Sequence, residues 1–241
     1  MNFPLIVAHR GYSAVAPENT LAAVCQALEA GVRACEVDVR LTRDKHVVVM
    51  HDDRVDRTTD GTGALRDMTL RELRLLDAGS WKDPRYAGEK VPTLAEALAL
   101  MKGRGQLVVE IKDEGMEEHV AEVIKSMNAV SQTTIIAFSL EVCRRMRTLL
   151  PAVGALWLVG GDSHNAEELA RLVLEAGLQG VSAYHGLVTE TFMDCFLRRG
   201  LSVWAWTVNE GSEARRLARV GVVSITTDDP LMLFYALAQE E

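Results

Sequence analysis

Ala34-Cys35-Glu36-Val37-Asp38-Val39-Arg40-Leu41-Thr42-Arg43-Asp44-Lys45-His46-Val47-Val48-Val49-Met50 is the stretch that decides the fold. It holds two strand-like, valine-rich runs, residues 34–40 and 46–50, with only five residues between them. A crossover joining parallel strands takes about a dozen residues. The two runs are therefore expected to form an antiparallel hairpin through Thr42-Arg43-Asp44-Lys45. Residues 46–50 then pair with the segment around 37–41 and stand outside the main sheet.

Outward from this hairpin, seven further runs read as strands: 5–8, 106–111, 133–138, 154–159, 180–183, 202–207 and 222–225. Between them, helices show as apolar stripes at helical spacing, such as Val120, Val123, Ile124 and Met127, or Leu169, Leu172, Val173 and Ala176. Asn19-Thr20 and two capping boxes, Thr69 with Glu72 and Thr93 with Glu96, mark helix starts. Glycines at 31, 177, 200 and 221 mark helix ends. With the hairpin's return strand set aside, eight strands alternate with helices in 241 residues, the size of a (β/α)8 TIM barrel. An open doubly wound sheet has the same alternation. From 52 to 92 the alternation breaks into a polar, glycine-containing stretch with one short helix near 69–76. This stretch is expected to be a small capping insertion after the second barrel strand, within a single domain spanning 1–241.

The 34 acidic and 26 basic residues give a formal charge of −8 without a basic run, which argues against nucleic acid as a partner. No apolar stretch approaches the roughly 20 residues of a membrane span. The apolar segment Leu5-Ile6-Val7-Ala8 has neither a charged lead nor a cleavage pattern around it, so a cytoplasmic location is expected. Cys25, Cys35, Cys143 and Cys195 are widely spaced in apolar segments and read as buried free thiols.

A barrel puts its chemistry at the C-terminal ends of its strands. Glu36 and Asp38 share one face of their strand, and Glu110 and Lys112 share one face of the next, both inward. Burying such groups in apolar strands is costly without a compensating cation, and three carboxylates suit Mg²⁺ or Ca²⁺ better than zinc. His9-Arg10 ends the first strand, and a hairpin centred on Arg43-Asp44 pairs residues whose numbers sum to about 87, placing His51 opposite Glu36. Two histidines beside a cation, with Arg10 and Lys112 to bind an anion, suit phosphate ester chemistry. Of the other histidines, His46 and His119 are expected to face solvent, His164 lies in a loop, and His185 sits just past a strand end near the mouth.

The chain resembles the glycerophosphodiester phosphodiesterases nearly end to end. The resemblance is carried by His9-Arg10-Gly11, Pro17-Glu18-Asn19-Thr20, Glu36-x-Asp38, His51-Asp52, Asp56-Arg57-Thr58-Thr59, Asp77-Ala78-Gly79-Ser80-Trp81, Glu110-Ile111-Lys112, Trp206-Thr207-Val208-Asn209 and Thr227-Asp228-Asp229-Pro230. It implies a (β/α)8 barrel with an inserted cap. It also implies Glu36, Asp38 and Glu110 as metal ligands, His9 and His51 as an acid/base pair, Arg10 and Lys112 on the phosphate, and Trp206 beside the glycerol moiety. Trp204 is expected in the core, and Glu18 either contacts the site or, equally well, answers the dipole of the helix that follows. One departure is Ala137 before Phe138, where members of the family often carry serine and where pocket polarity would change.

The implied reaction is metal-dependent hydrolysis of a glycerophosphodiester to an alcohol and sn-glycerol 3-phosphate. A second reading keeps the site but takes lysophospholipids, as lysophospholipase D-type relatives do; an acyl chain would need an apolar groove, whereas 52–92 is polar. A third is a silent phosphodiester-binding protein, which the intact histidines and carboxylates disfavour.

Overall fold

The computed structural model of the chain describes residues 3–161 and 165–239; His164 lies outside them. Among the described residues nine strands form one sheet: β1 (Leu5–Ala8), β2 (Ala34–Leu41), β3 (Val47–Val49), β4 (Gln106–Ile111), β5 (Thr133–Ala137), β6 (Gly154–Val159), β7 (Gly180–Tyr184), β8 (Ser202–Trp206) and β9 (Ser224–Thr227). All neighbours are parallel except β2 and β3, and β1 pairs with both β2 and β9, so eight strands close into a barrel. Closure rules out the open sheet.

The hairpin forms as expected but one residue out of register. Val39 faces Val49, Arg40 faces Val48 and Leu41 faces Val47, so paired numbers sum to 88. Met50 N–H still donates to the Asp38 carbonyl oxygen at 2.9 Å, after which the chain leaves the ladder. His51 is therefore past the strand end, where no pairing rule fixes its direction. The last strand also starts two residues late. Gly221, at φ 92°, caps the preceding helix, Val222 N–H returns to the Leu217 carbonyl, and the ladder with β1 begins only where Leu5 meets Ser224.

Even-numbered residues of the barrel strands point inward. Val7 of β1, the one odd-numbered member, joins Ala34, Val108, Ile136, Leu156 and Leu158 in the inner apolar cluster, with Trp204 and Trp206 against it. The opposite faces, including Cys35, Val37, Val39 and Val109, pack on the surrounding helices in a larger core. Those helices are α1 (Leu21–Glu29), α3 (Leu94–Met101), α4 (Glu117–Ser126), α5 (Leu140–Leu149), α6 (Ala166–Glu175), α7 (Glu190–Leu197), α8 (Gly211–Val220) and α9 (Pro230–Ala238), while the short α2 (Leu70–Leu73) precedes α3. Thr20 caps α1, and both capping boxes, at Thr69 and Thr93, are complete. Among the described residues no helix is long and apolar enough to cross a membrane.

Between β3 and α3 the chain folds over a small core of its own, where Val55, Leu65, Leu73, Ala78 and Val91 pack on Val48 and Met50. All four cysteines are free; Cys35, Cys143 and Cys195 are buried, while Cys25 is partly exposed, a correction to the expected burial. Ala137 is also corrected. It faces the outer core, with the Cys143 thiol on its carbonyl, so it cannot set pocket polarity.

Candidate active site

The C-terminal end of the barrel holds a cavity of about 210 Å³. His9, Arg10, Glu36, His51, Glu110 and Lys112 line one part of it, and Ile136, Phe138, Leu158 and Trp206 line an apolar part. Asp38 lies fully buried beneath. All eight residues singled out from the sequence thus come together.

The inward parity of β2 and β4 brings the carboxylates into one cluster, since Asp38 pairs in register with Glu110 across the two strands. Ligand oxygens of Glu36, Asp38 and Glu110 lie within 4.8 Å of one another. Burial, with Asp38 and Glu110 alongside, pushes the Glu36 carboxyl well above its ordinary range. Burial and Asp38 likewise raise Glu110. Burial acts on Asp38 in the same direction, but Arg10 and Lys112 outweigh it and hold that carboxyl down. Glu36 Oε1 is buried without a hydrogen-bond partner, and Asp38 Oδ1 has only the 3.4 Å ion pair with Lys112 Nζ. Such orphaned anionic acceptors are rare unless something positive meets them, and an all-oxygen donor set fits a hard divalent cation.

Two cations flank this cluster. Lys112 Nζ lies 2.6 Å from Glu110 Oε1 and 3.4 Å from Asp38 Oδ1. Arg10 Nη1 donates to Glu18 Oε1 at 2.7 Å, and Arg10 Nε is 3.2 Å from Asp38 Oδ2. The backbone that carries Arg10 is tightly turned, with φ of 57° at Arg10 and 76° at Gly11. A Cβ on Gly11 would sit 2.6 Å from the Ala23 carbonyl carbon, so only glycine fits between this turn and α1. The turn aims Arg10 N–H at Glu36 Oε2, 2.9 Å away.

Each histidine is tied through Nδ1 to a carboxylate. His9 Nδ1 is 2.7 Å from Asp228 Oδ1, and His51 Nδ1 is 2.7 Å from Asp52 Oδ1. Burial would raise Asp228, but His9, Asn209 and Ser13 hold it at about 2, so it stays ionised and accepts the Nδ1 proton. Asp52, held down by Arg57 and His51, does the same. With Nδ1 engaged by a carboxylate, each imidazole has Nε2 left to exchange a proton with a substrate or water. Burial also lowers the His51 pKa.

A profile of the glycerophosphoryl diester phosphodiesterase family matches residues 9–232. The chain belongs to this family. A glycerophosphodiester phosphodiesterase of Caldanaerobacter subterraneus is 36% identical over 236 residues, covering 94% of each chain. The human glycerophosphodiester phosphodiesterase 1 is 32% identical, over 86% of this chain and 72% of its own length. Among solved structures, an Oleispira antarctica phosphodiesterase in complex with the product sn-glycerol-3-phosphate superposes with a TM-score of 0.88 at 30% identity, covering 98% of both chains. Glycerophosphoryl diester phosphodiesterases are hydrolases.

For a glycerophosphoryl diester phosphodiesterase, this chain also has supporting residues that strand ends and spacing did not single out. Asn19, at φ 59°, clasps Asp38 from both sides: its Nδ2 donates to Oδ2 at 2.8 Å, and its Oδ1 accepts from the Asp38 amide at 3.1 Å. Of the two readings of Glu18, the structure favours contact with the site. Glu18 precedes the Thr20 cap and bridges Arg10 to Arg57, whose Nε donates to Asp52 Oδ2 at 2.6 Å. Asn209 Nδ2 donates to Asp228 Oδ2 at 2.6 Å. All lie within the quoted motifs, the only sequence signal for Asn19 and Asn209. Trp206 Nε1 donates to the Ser182 carbonyl, fixing its ring against Phe138. Trp204 stays in the barrel core. Of the remaining histidines, His46 is exposed beside Asp44, as expected. His119 is half-buried rather than solvent-facing, with its Nδ1 enclosed. His185 pairs with Glu213 of α8 at 2.8 Å and does not line the cavity.

Proposed function

We propose that the chain hydrolyses glycerophosphodiesters to an alcohol and sn-glycerol 3-phosphate, using a divalent cation, Mg²⁺ or Ca²⁺, and His9 and His51 as the acid/base pair. The observation that carries this reading is the convergence of two carboxylate-tethered histidines, two cations and a buried carboxylate triad on one cavity. Family membership supports it, as does the product bound by the Oleispira antarctica relative.

In this reading Glu36, Asp38 and Glu110 hold the cation, which when bound polarises phosphoryl oxygens and lowers the pKa of a neighbouring hydroxyl. Arg10 and Lys112 bind the phosphate oxygens by charge-assisted hydrogen bonds. Trp206 gives the glycerol carbons an apolar face. One histidine takes the proton of the attacking hydroxyl at Nε2, and the other, protonated, delivers a proton to the departing alcohol oxygen. The attacking group is the glycerol hydroxyl next to the ester oxygen, giving a cyclic 1,2-phosphate that water then opens; direct attack by water is the competing route. The chain acts as a single domain in the cytoplasm, with a small-molecule substrate.

Incubation with glycerophosphocholine, glycerophosphoethanolamine and glycerophosphoglycerol, with coupled detection of sn-glycerol 3-phosphate, tests this. Release from at least one is expected, and release from none in the presence of either metal overturns it.

A further inference from the structure

A second groove, of about 700 Å³, lies beside the β2–β3 turn. Its walls carry Arg40, Arg43, Lys45, Arg54 and Arg66 against two carboxylates, Asp53 and Asp113. In a chain of formal charge −8 this is a local reversal of sign. Three of the five cations are engaged. Arg40 Nη1 holds both Asp113 oxygens at 2.7 and 2.8 Å, Arg43 Nη2 is 3.2 Å from Glu72, and Arg54 Nη2 is 3.0 Å from Asp56. Lys45 and Arg66 are exposed and have no carboxylate partner among the described residues.

The groove shares a wall with the catalytic cavity. Arg40, which lines the groove, donates through Nε to the His51 carbonyl at 2.8 Å. Lys112 lines the cavity and the next residue, Asp113, lines the groove. The far side of the cavity is apolar, formed by Phe138 and by Trp206 of β8, and β8 stands across the barrel from β4. A diester that places its glycerol against Trp206 and its alcohol toward β2 and β4 would direct that alcohol at the wall between the cavity and the cationic groove.

We propose that this groove receives the alcohol portion of the substrate and selects glycerophosphodiesters whose alcohol bears a further anionic group, such as a phosphate monoester. The proposal rests on the reading of the site as a glycerophosphodiesterase. A monoester carries between one and two negative charges at neutral pH and matches the unpaired Lys45 and Arg66. A longer polyanion such as RNA is disfavoured, because the cations are gathered in one concavity next to the cavity rather than spread along a face.

Two substrates that differ by one group provide the test: glycerophosphoglycerol, and the same compound phosphorylated on its terminal hydroxyl. The ratio of their kcat/KM values is measured at low ionic strength for the wild type and for the double variant Lys45→Glu/Arg66→Glu. The wild type is expected to favour the phosphorylated substrate about tenfold, mostly through KM, and the double variant to lose that preference. The preference should also shrink in about 0.5 M NaCl, since exposed charges are screened. A wild-type ratio of one or less, or an unchanged ratio in the variant, overturns the proposal. If neither compound is hydrolysed, the glycerophosphodiesterase reading fails, and calorimetry with the phosphorylated diester still decides the groove. Binding about tenfold weaker in the variant supports it, and equal affinity overturns it.

Discussion

His9 and Asp228 lie 219 positions apart in the sequence, yet Nδ1 of the imidazole is 2.7 Å from Oδ1 of the carboxylate. They meet because β1 and β9 are the strands that close the barrel, so the residues just past their ends share one rim. His51 and Asp52 repeat the arrangement between chain neighbours. The two dyads fix the tautomers of both imidazoles and hold Nε2 toward the cavity.

Asp228→Asn and Asp52→Asn each replace an obligate acceptor with an amide that can turn a donor toward Nδ1. Each is expected to lower kcat by about tenfold or more with little change in KM, because orientation and imidazolium stabilisation are lost while phosphate binding is kept. Steady-state kinetics with a pH profile checks this: unchanged kcat, or a loss confined to KM, would show that the carboxylates do not govern the imidazoles.

The carboxylate triad should respond to metal removal. Exhaustive chelation is expected to abolish turnover, and Mg²⁺ or Ca²⁺ to restore it. Glu110→Gln keeps the shape and removes one charge, so it should weaken metal affinity while the metal-free protein unfolds at the same or a higher temperature. Thermal scans with and without metal measure this, and full activity after chelation would remove the metal from the mechanism.

How far the sequence carries the reading depends on how local each signal is. The inward faces of Glu36, Asp38, Glu110 and Lys112 follow from a two-residue alternation within single strands, and the hairpin follows from five intervening residues. Glycine at helix ends is local too, and Gly31, Gly177, Gly200 and Gly221 all have positive φ. The hairpin register missed by one because the turn, with Lys45 at φ 66°, admits either neighbouring pairing on spacing alone. Asn19 on Asp38, Glu18 on Arg57 and Asn209 on Asp228 join segments distant in the sequence, which no periodicity encodes. Ala137 obeys the same alternation, since its neighbour Ile136 faces the barrel interior and Ala137 the outer core.

Outside the site, Glu213 gives a pH-dependent contribution to stability. Hydrogen bonds from Arg216, opposed by burial and aided by His185, lower its pKa from 4.5 to about 2. Between those values the unfolded chain binds more protons than the folded one, so the contribution is complete above the ordinary glutamate value and is lost as pH falls toward 2. Glu213→Gln should therefore cost stability at neutral pH and progressively less as pH falls toward 2. Urea unfolding of both proteins at several pH values checks this, and a pH-independent difference would rule it out.

The route of attack is open to a substrate analogue. If the vicinal glycerol hydroxyl is the nucleophile, a deoxy analogue lacking it should react at least about 10²-fold more slowly, the scale of losing an oriented intramolecular group. Comparable turnover of the analogue would assign the attack to water and leave the histidine roles in place.

The most direct measurement is sn-glycerol 3-phosphate release from a glycerophosphodiester by the wild type, His9→Ala and His51→Ala, each loaded with metal and checked for folding. Steady wild-type release is expected, with kcat lower by about 10²-fold or more in each variant, the usual scale for a general acid or base. Near-normal release by both variants would contradict the central claim that these two histidines carry the proton transfers.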